Sequence, residues 1–307
     1  MAYLSPSGYY QIIPFVNHIH YEINTMIAAQ SRIFPILLFA TLSSFFLLGT
    51  QIHIDKDDTI KVTEKKTQKV GKGKNFNPVI FTTEKALKVP LPDFAKIANS
   101  QEKKQQFFSF LYPMVVHINE AVLHEREKII ILQNTNNLSS NDEAYLHSIA
   151  KKYRVNTSKG FNSVFFTDML IKIDRIPPSL VLAQAANESA WGTSRFATKG
   201  NNLFGQWCFS KGCGVVPEQR NDDASHEVSK FDSVFDSIES YVLNLNRHTE
   251  YKQLRAIRHE IRSTNKPVSG EKLANGLEGY SERGLEYVNE IQSMIRFNNL
   301  SSLDTKA

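Results

Sequence analysis

Glu188 closes a run that could do proton chemistry: Pro177-Pro178-Ser-Leu-Val-Leu-Ala-Gln-Ala-Ala-Asn187-Glu188, continued by Ser189-Ala-Trp191-Gly192. Leu180, Val181, Leu182, Ala183, Ala185 and Ala186 leave a helix here little polar surface, so it is buried, and its alanines let neighbours approach closely. Pro178 suits the first turn, where its missing N–H has no intrahelical partner. A carboxyl at the buried end of such a helix loses hydration. Its pKa rises toward neutral and it becomes able to donate a proton. Trp191 supplies an apolar wall beside it. Gln184, one turn earlier on the same face, reads as satisfying a buried backbone group. The bland alternative for Glu188 is a buried ion pair with an arginine such as Arg195.

A second group of chemistry-bearing residues follows. Trp191, Phe204 and Trp207 offer flat faces to a ring-shaped ligand, although Trp191 could equally pack the core. Asn201 and Asn202 could donate to ligand oxygens or cap a loop. Glu218, Asp222, Asp223 and Glu227 are carboxylates in a segment of short strands. Cys208 and Cys213 are the sole cysteine pair. They are too few for a structural zinc site without histidines. In an oxidising compartment they read as a disulfide closing a small hairpin, the alternative being two buried thiols. His226 beside a strand reads as structural, so no metal is expected.

Taken in order, the motifs Pro-Pro-Ser-Leu-Val-Leu-Ala-Gln-Ala-Ala-Asn-Glu-Ser-Ala-Trp-Gly, Asn-Asn-Leu-Phe-Gly-Gln-Trp-Cys, His226-Glu227-Val-Ser-Lys-Phe and Tyr280-Ser-Glu-Arg-Gly-Leu-Glu-Tyr-Val resemble the glucosaminidase domain of glycoside hydrolase family 73, in particular its Bax-type branch. The resemblance covers roughly residues 90 to 298. It implies a mainly α (α+β), lysozyme-like fold with a small β-hairpin lobe, and a saccharide cleft between the lobes. It also implies endo-β-N-acetylglucosaminidase activity on peptidoglycan glycan strands, with Glu188 as general acid, Glu227 at the β-lobe acid position and Tyr280 lining the cleft. Glycoside hydrolysis needs an acid for the leaving oxygen and a group to stabilise or attack the oxocarbenium ion. The substrate's own acetamido group could fill that second role in place of Glu227. Trp191, Asn202, Phe204 and Trp207 are the expected substrate contacts. No cofactor is expected. The rival readings are a muramidase or lytic transglycosylase of the same fold, and a non-catalytic glycan-binding module.

Composition is consistent with a packed globular protein. The chain has 307 residues, 41% of them hydrophobic, and a formal charge of +5. No nucleic-acid motif or phosphate-cradling glycine loop is found, so nucleic acid is not an expected partner. Ile33 to Gly49 runs without a charge, behind Arg32 and ahead of Asp55, Asp57 and Asp58. That length is at the short end of a membrane span and near that of a secretory signal core. With no cleavage site following, it reads as a signal anchor holding the catalytic domain in the periplasm. A cleaved signal releasing it there is the alternative. Met26 sits where a signal sequence would begin, which would make residues 1–25 an artefact of start-site choice.

The elements expected to position Glu188 are helical. The organisation reads as an N-terminal extension at 1–32, the signal anchor or transmembrane segment at 33–50, and a polar, lysine-rich tether at 51–88. A helical region at 89–160 then packs on the catalytic domain at 161–300. Asn99 with Glu102 resembles a capping box opening a long amphipathic helix, which Pro113 should kink or split. Ser140 with Glu143 predicts a second box. Further helices are expected near 162–173 and 194–199, the latter stopped by Gly200. Short strands around Phe204–Cys208, Val215–Val216 and Glu227–Phe231 precede a helix capped by Asp232 or Ser233. Helices at 249–261, 271–276 and 283–297 complete the chain.

Overall fold

A long amphipathic helix organises the fold. The computed structural model describes residues 84–217 and 227–305. The expected extension, anchor and most of the tether lie outside these residues, as do Glu218, Asp222, Asp223 and His226. Among the described residues no helix is long and apolar enough to cross a membrane.

After a short α1 (Glu84–Leu87), α2 runs from Ser100 to Gln133. Asn99 caps it by accepting the Glu102 N–H at 2.9 Å. The expected break at Pro113 does not occur, and α2 is one helix of 34 residues. Proline removes one backbone donor and crowds the turn before it. Here Leu111, Tyr112, Met114 and Val115 around it are all buried, and packing carries the helix through. α3 (Ser140–Tyr153) begins one residue earlier than the expected box, with Ser139 and Asp142 as the reciprocal pair. Asp142 reaches back to the Ser139 N–H at 3.1 Å, which displaces Glu143 from that role.

α4 (Ser163–Lys172), capped by Asn162, leads through a buried turn into α5 (Pro178–Glu188). α5 is the central element, packed by α2, α9 (Gly270–Leu273), α10 (Leu285–Phe297) and the 3-10 turn Leu300–Leu303. Every residue from Pro178 to Ala186 is buried. Burial of each of its leucine and valine side chains contributes roughly 1.5–3 kcal/mol. Pro177 offers no capping side chain. The Asp304 carboxylate, from the far end of the chain, accepts the Ser179 N–H at 2.9 Å, the Ser179 hydroxyl at 2.7 Å and the Gly270 N–H at 3.0 Å.

α6 (Arg195–Gly200) ends with Asn201, not Gly200, in the left-handed conformation. The lobe that follows is one antiparallel sheet in the order β1 (Trp207–Cys208), β3 (Glu227–Ser229), β2 (Gly214–Val215). Cys208 pairs with Glu227 and Val215 with Val228. Gly214 is required here, because a Cβ would fall 2.0 Å from the Val228 carbonyl oxygen. α7 (Val234–Arg247) is capped by Ser233, and α8 (Lys252–Ser263) follows a 3-10 turn. The fold is therefore mainly α with one small sheet, as expected. One hydrophobic core extends from Leu87 to Leu303 and includes α2 and α3 together with α5 and α10.

Candidate active site

Glu188 is the last residue of α5, and its carboxylate leaves the buried helix half-buried. Burial pushes its pKa up. Hydrogen bonds from Tyr287 and Asn187 and the charge of Arg283 oppose this only in part, and Glu290 adds to the rise. The upward direction is the one a general acid needs.

The partner of Glu188 is a tyrosine rather than an arginine. The Tyr287 hydroxyl donates to Oε1 of Glu188 at 2.7 Å. Gln184 donates its amide to the Tyr287 oxygen at 2.8 Å, and Tyr241 donates its hydroxyl to Gln184 Oε1. Gln184, Tyr241 and Tyr287 are all buried. The reading of Gln184 as a backbone partner is thus corrected: it joins two phenols in a chain that ends on the acid. Burial first, and the neighbouring Glu188 second, push the Tyr287 phenol well above the ordinary tyrosine range. It stays protonated and remains a donor. Arg195, the alternative ion-pair partner, donates instead to the Val216 carbonyl oxygen at 3.3 Å.

The turn after Glu188 is strained. Ala190, Trp191 and Gly192 have φ of 49°, 61° and 77° in succession. Left-handed backbone at a non-glycine residue costs roughly 1–2 kcal/mol, and such strain gathers at functional sites. Hydrogen bonds hold the turn: Trp191 N–H to the Ala186 carbonyl at 3.0 Å, and Gly192 N–H to the Ser189 hydroxyl at 2.8 Å. Gly192 has a second requirement, since a Cβ would lie 2.7 Å from the Phe94 ring.

The expected substrate contacts divide. Trp191 is half-buried, meeting Phe107 and Phe108 edge-on at 5.8 and 5.3 Å, so it packs the turn onto α2. Phe204 is buried with its ring stacked on Tyr241 at 3.9 Å, and so presents no free face to a sugar. Asn202 is also buried. Its amide donates to the Gln206 and Ser229 carbonyls, and its oxygen accepts the Phe204 and Gln206 N–H groups. Three of these bonds close the 202–206 loop on itself and the fourth ties it to Ser229 of β3, which corrects the assignment of Asn202 as a saccharide ligand. Trp207 alone of the four is exposed, at 59%, with Phe209 exposed beside it in sequence.

Tyr280 stacks on Tyr287 at 5.3 Å with rings 8° from parallel. It is thereby one ring removed from Glu188, with its hydroxyl donated to the Phe204 carbonyl at 2.8 Å. Glu227 is buried, and both its oxygens are engaged. They accept the Gly212 N–H at 2.9 Å and the Gly214 N–H at 2.8 Å, where the loop from β1 enters β2. Cys208 and Cys213 are joined by a disulfide with Cα atoms 6.2 Å apart. Their sulfurs and a Glu227 oxygen lie within 4.8 Å of one another. Sulfurs spent on a disulfide offer a metal no thiolate. The disulfide thus closes the loop joining the two outer strands β1 and β2, not a hairpin between paired strands, and the Glu227 carboxylate braces that loop from β3.

Glu227→Gln tests that reading. The amide turns one acceptor into a donor facing a backbone N–H, which costs roughly 1–3 kcal/mol locally. Hydrogen exchange at Gly212 and Gly214 should quicken, while turnover should fall far less than in Glu188→Gln. An equal fall would make Glu227 a reacting carboxylate.

Comparison with known proteins agrees with the motifs. A family model described as mannosyl-glycoprotein endo-beta-N-acetylglucosaminidase (the glucosaminidase family) matches residues 167–300. Protein bax of Escherichia coli (strain K12) is 33% identical over 218 residues, which is 71% of this chain and 78% of that protein. Among solved structures, the catalytic domain of the autolysin Auto from Listeria monocytogenes is similar at 20% identity and a TM-score of 0.33, over 58% of this chain and 96% of that one.

Proposed function

This chain belongs to the glucosaminidase family, glycoside hydrolase family 73, and from that premise we propose that it is an endo-β-N-acetylglucosaminidase of peptidoglycan glycan strands. The observation that carries the proposal is Glu188 at the half-buried end of α5, its pKa raised by burial and its carboxylate accepting the Tyr287 hydroxyl at 2.7 Å. In the reaction Glu188 gives its proton to the glycosidic oxygen as the C1–O bond breaks. The positive charge developing at C1 is met by the substrate's acetamido oxygen. Water then adds at C1 and returns a proton to Glu188. The acetamide-assisted route is preferred to direct action by Glu227 because both oxygens of Glu227 are bound to backbone N–H groups. Tyr287, Gln184 and Tyr241 fix the direction of the acid. Trp207, exposed on the outer strand β1, is the sugar platform. The proposed setting is the cell envelope, where a disulfide-closed loop and a glycan substrate are compatible.

Digestion of purified sacculi followed by mass spectrometry tests the reading. Fragments with reducing N-acetylglucosamine ends are expected. Reducing or anhydro-muramic ends would replace the proposal with a muramidase or transglycosylase, and no release would leave a binding module.

A further inference from the structure

Outside the Glu188 site, the first turns of α2 and the segment that leaves α10 enclose a recess of about 180 Å³. Drug-sized pockets begin at roughly 300 Å³, so this one admits a single residue-sized group. Lys104 stands at the recess with its ammonium 4.9 Å from the Trp191 ring centre and 5.2 Å from that of Phe297. Those two rings come from the turn after Glu188 and from the end of α10. Lys104 makes no ion pair among the described residues. Among the described residues no acidic side chain lines the recess. Gln101, Gln105, Asn298 and Asn299 do line it, and they supply amide donors and acceptors. Phe297 is 76% exposed, so its outer edge is open to a ligand.

We propose that this recess binds a carboxylate-bearing peptide, namely the acidic stem peptides that branch from the glycan strand. The proposal deepens the peptidoglycan reading and rests on it for the source of the peptide. Charge complementarity decides the class of ligand. An ammonium without an acid partner attracts a carboxylate, and two aromatic faces hold it in place before the ligand arrives. Less side-chain freedom is then lost on binding. A sugar ring is the poorer fit, because the lysine already lies over the aromatic faces on which it would stack. The amide groups match a peptide backbone, which presents one donor and one acceptor per residue. The exposed Phe297 edge suits the methyl groups of alanine residues. Through Lys104 the recess adjoins Trp191, in the strained turn that follows the catalytic acid.

The test needs no hydrolysis. The full chain is titrated by NMR with the free acidic tetrapeptide of peptidoglycan, and with the same tetrapeptide after its carboxylates are amidated. The acidic form should bind about threefold to fivefold more tightly, a ratio in keeping with one partly exposed ion pair. Lys104→Gln shortens the side chain but keeps it polar and removes the charge, and should abolish that preference. Phe297→Ala should weaken both peptides alike. Equal binding of the two peptides by the unaltered protein, or a preference that survives in Lys104→Gln, overturns the proposal, as does binding of neither. Sacculi that resist cleavage would refute the enzymatic reading while leaving the peptide preference measurable.

Discussion

Glu188→Gln should lower turnover on sacculi by about 10²–10⁴-fold, the usual contribution of general acid catalysis, while the protein stays folded. The amide keeps the shape of the side chain and can still accept the Tyr287 hydroxyl, but it has no proton to give. Stability should not fall, and its pH dependence shows why. Burial raises the folded pKa of Glu188 above its unfolded value. The group therefore contributes most below the unfolded pKa, and that contribution disappears as pH rises through the folded pKa. At neutral or higher pH the variant should melt at the same temperature as the wild type or above it. In acid the two curves should converge. Tyr287→Phe gives the companion result. The lost hydrogen bond favoured the charged carboxylate, so the Glu188 pKa rises further. The alkaline limb of the rate profile should move to higher pH, alongside a loss of rate from a less firmly aimed acid. Near-normal hydrolysis by Glu188→Gln would dismiss the assignment, and an unmoved alkaline limb in Tyr287→Phe would dismiss the tuning.

Glu188 was legible because its environment is encoded within its own helix. The apolar run from Leu180 to Ala186 demands burial, and the acid that ends it inherits a dry edge. The small sheet was legible for similar local reasons, with glycines bounding short apolar runs. The chain of hydroxyls behind the acid was not, because Tyr241 and Tyr287 lie 57 and 103 residues from Gln184. A signal was available. Tyr287 falls on the same face as Val288 and Ile291, and a buried phenol needs a hydrogen-bond partner. Asn202 was misread from its type. An amide beside a sugar motif looks like a ligand, yet asparagine also bonds the backbone of its own loop, and here it uses all its capacity to do so. The displaced capping box has a smaller cause: Ser139 with Asp142 and Ser140 with Glu143 are overlapping candidates one residue apart. The cap of α5 could not be read locally, since Asp304 lies 125 residues from Ser179.

Asp174→Ala should cost about 3–5 kcal/mol, the usual penalty for removing one partner of a buried ion pair. Asp174 is buried in the turn between α4 and α5. Arg262 grips its two oxygens at 2.8 and 2.5 Å, and Arg258 and Arg126 lie at 3.9 and 4.0 Å. Arg258 is itself buried, and is bound to carbonyls of the same turn at residues 171, 172, 174 and 175. Its desolvated charge would lose its nearest anion. The turn leads directly into Pro177 and α5, and is also tied by Asn119, which bonds both the N–H and the carbonyl of Ile176. The melting temperature should drop by about 6–20 °C, given roughly 2–4 °C per kcal/mol for a domain of this size. Acid sensitivity should change as well. Burial alone would raise the Asp174 pKa, but Arg262, Arg258 and Arg126 outweigh it and the net direction is down. Its contribution is therefore present above the unfolded value and disappears as pH falls through the lower folded one. The wild type should lose stability in acid through this group, and the gap to Asp174→Ala should narrow there. Thermal melts of both proteins at pH 7 and near pH 3 supply the measurement. A drop of less than about 1 kcal/mol at pH 7, the scale of an exposed ion pair, would mean that the three arginines find other partners and that the turn does not depend on the aspartate.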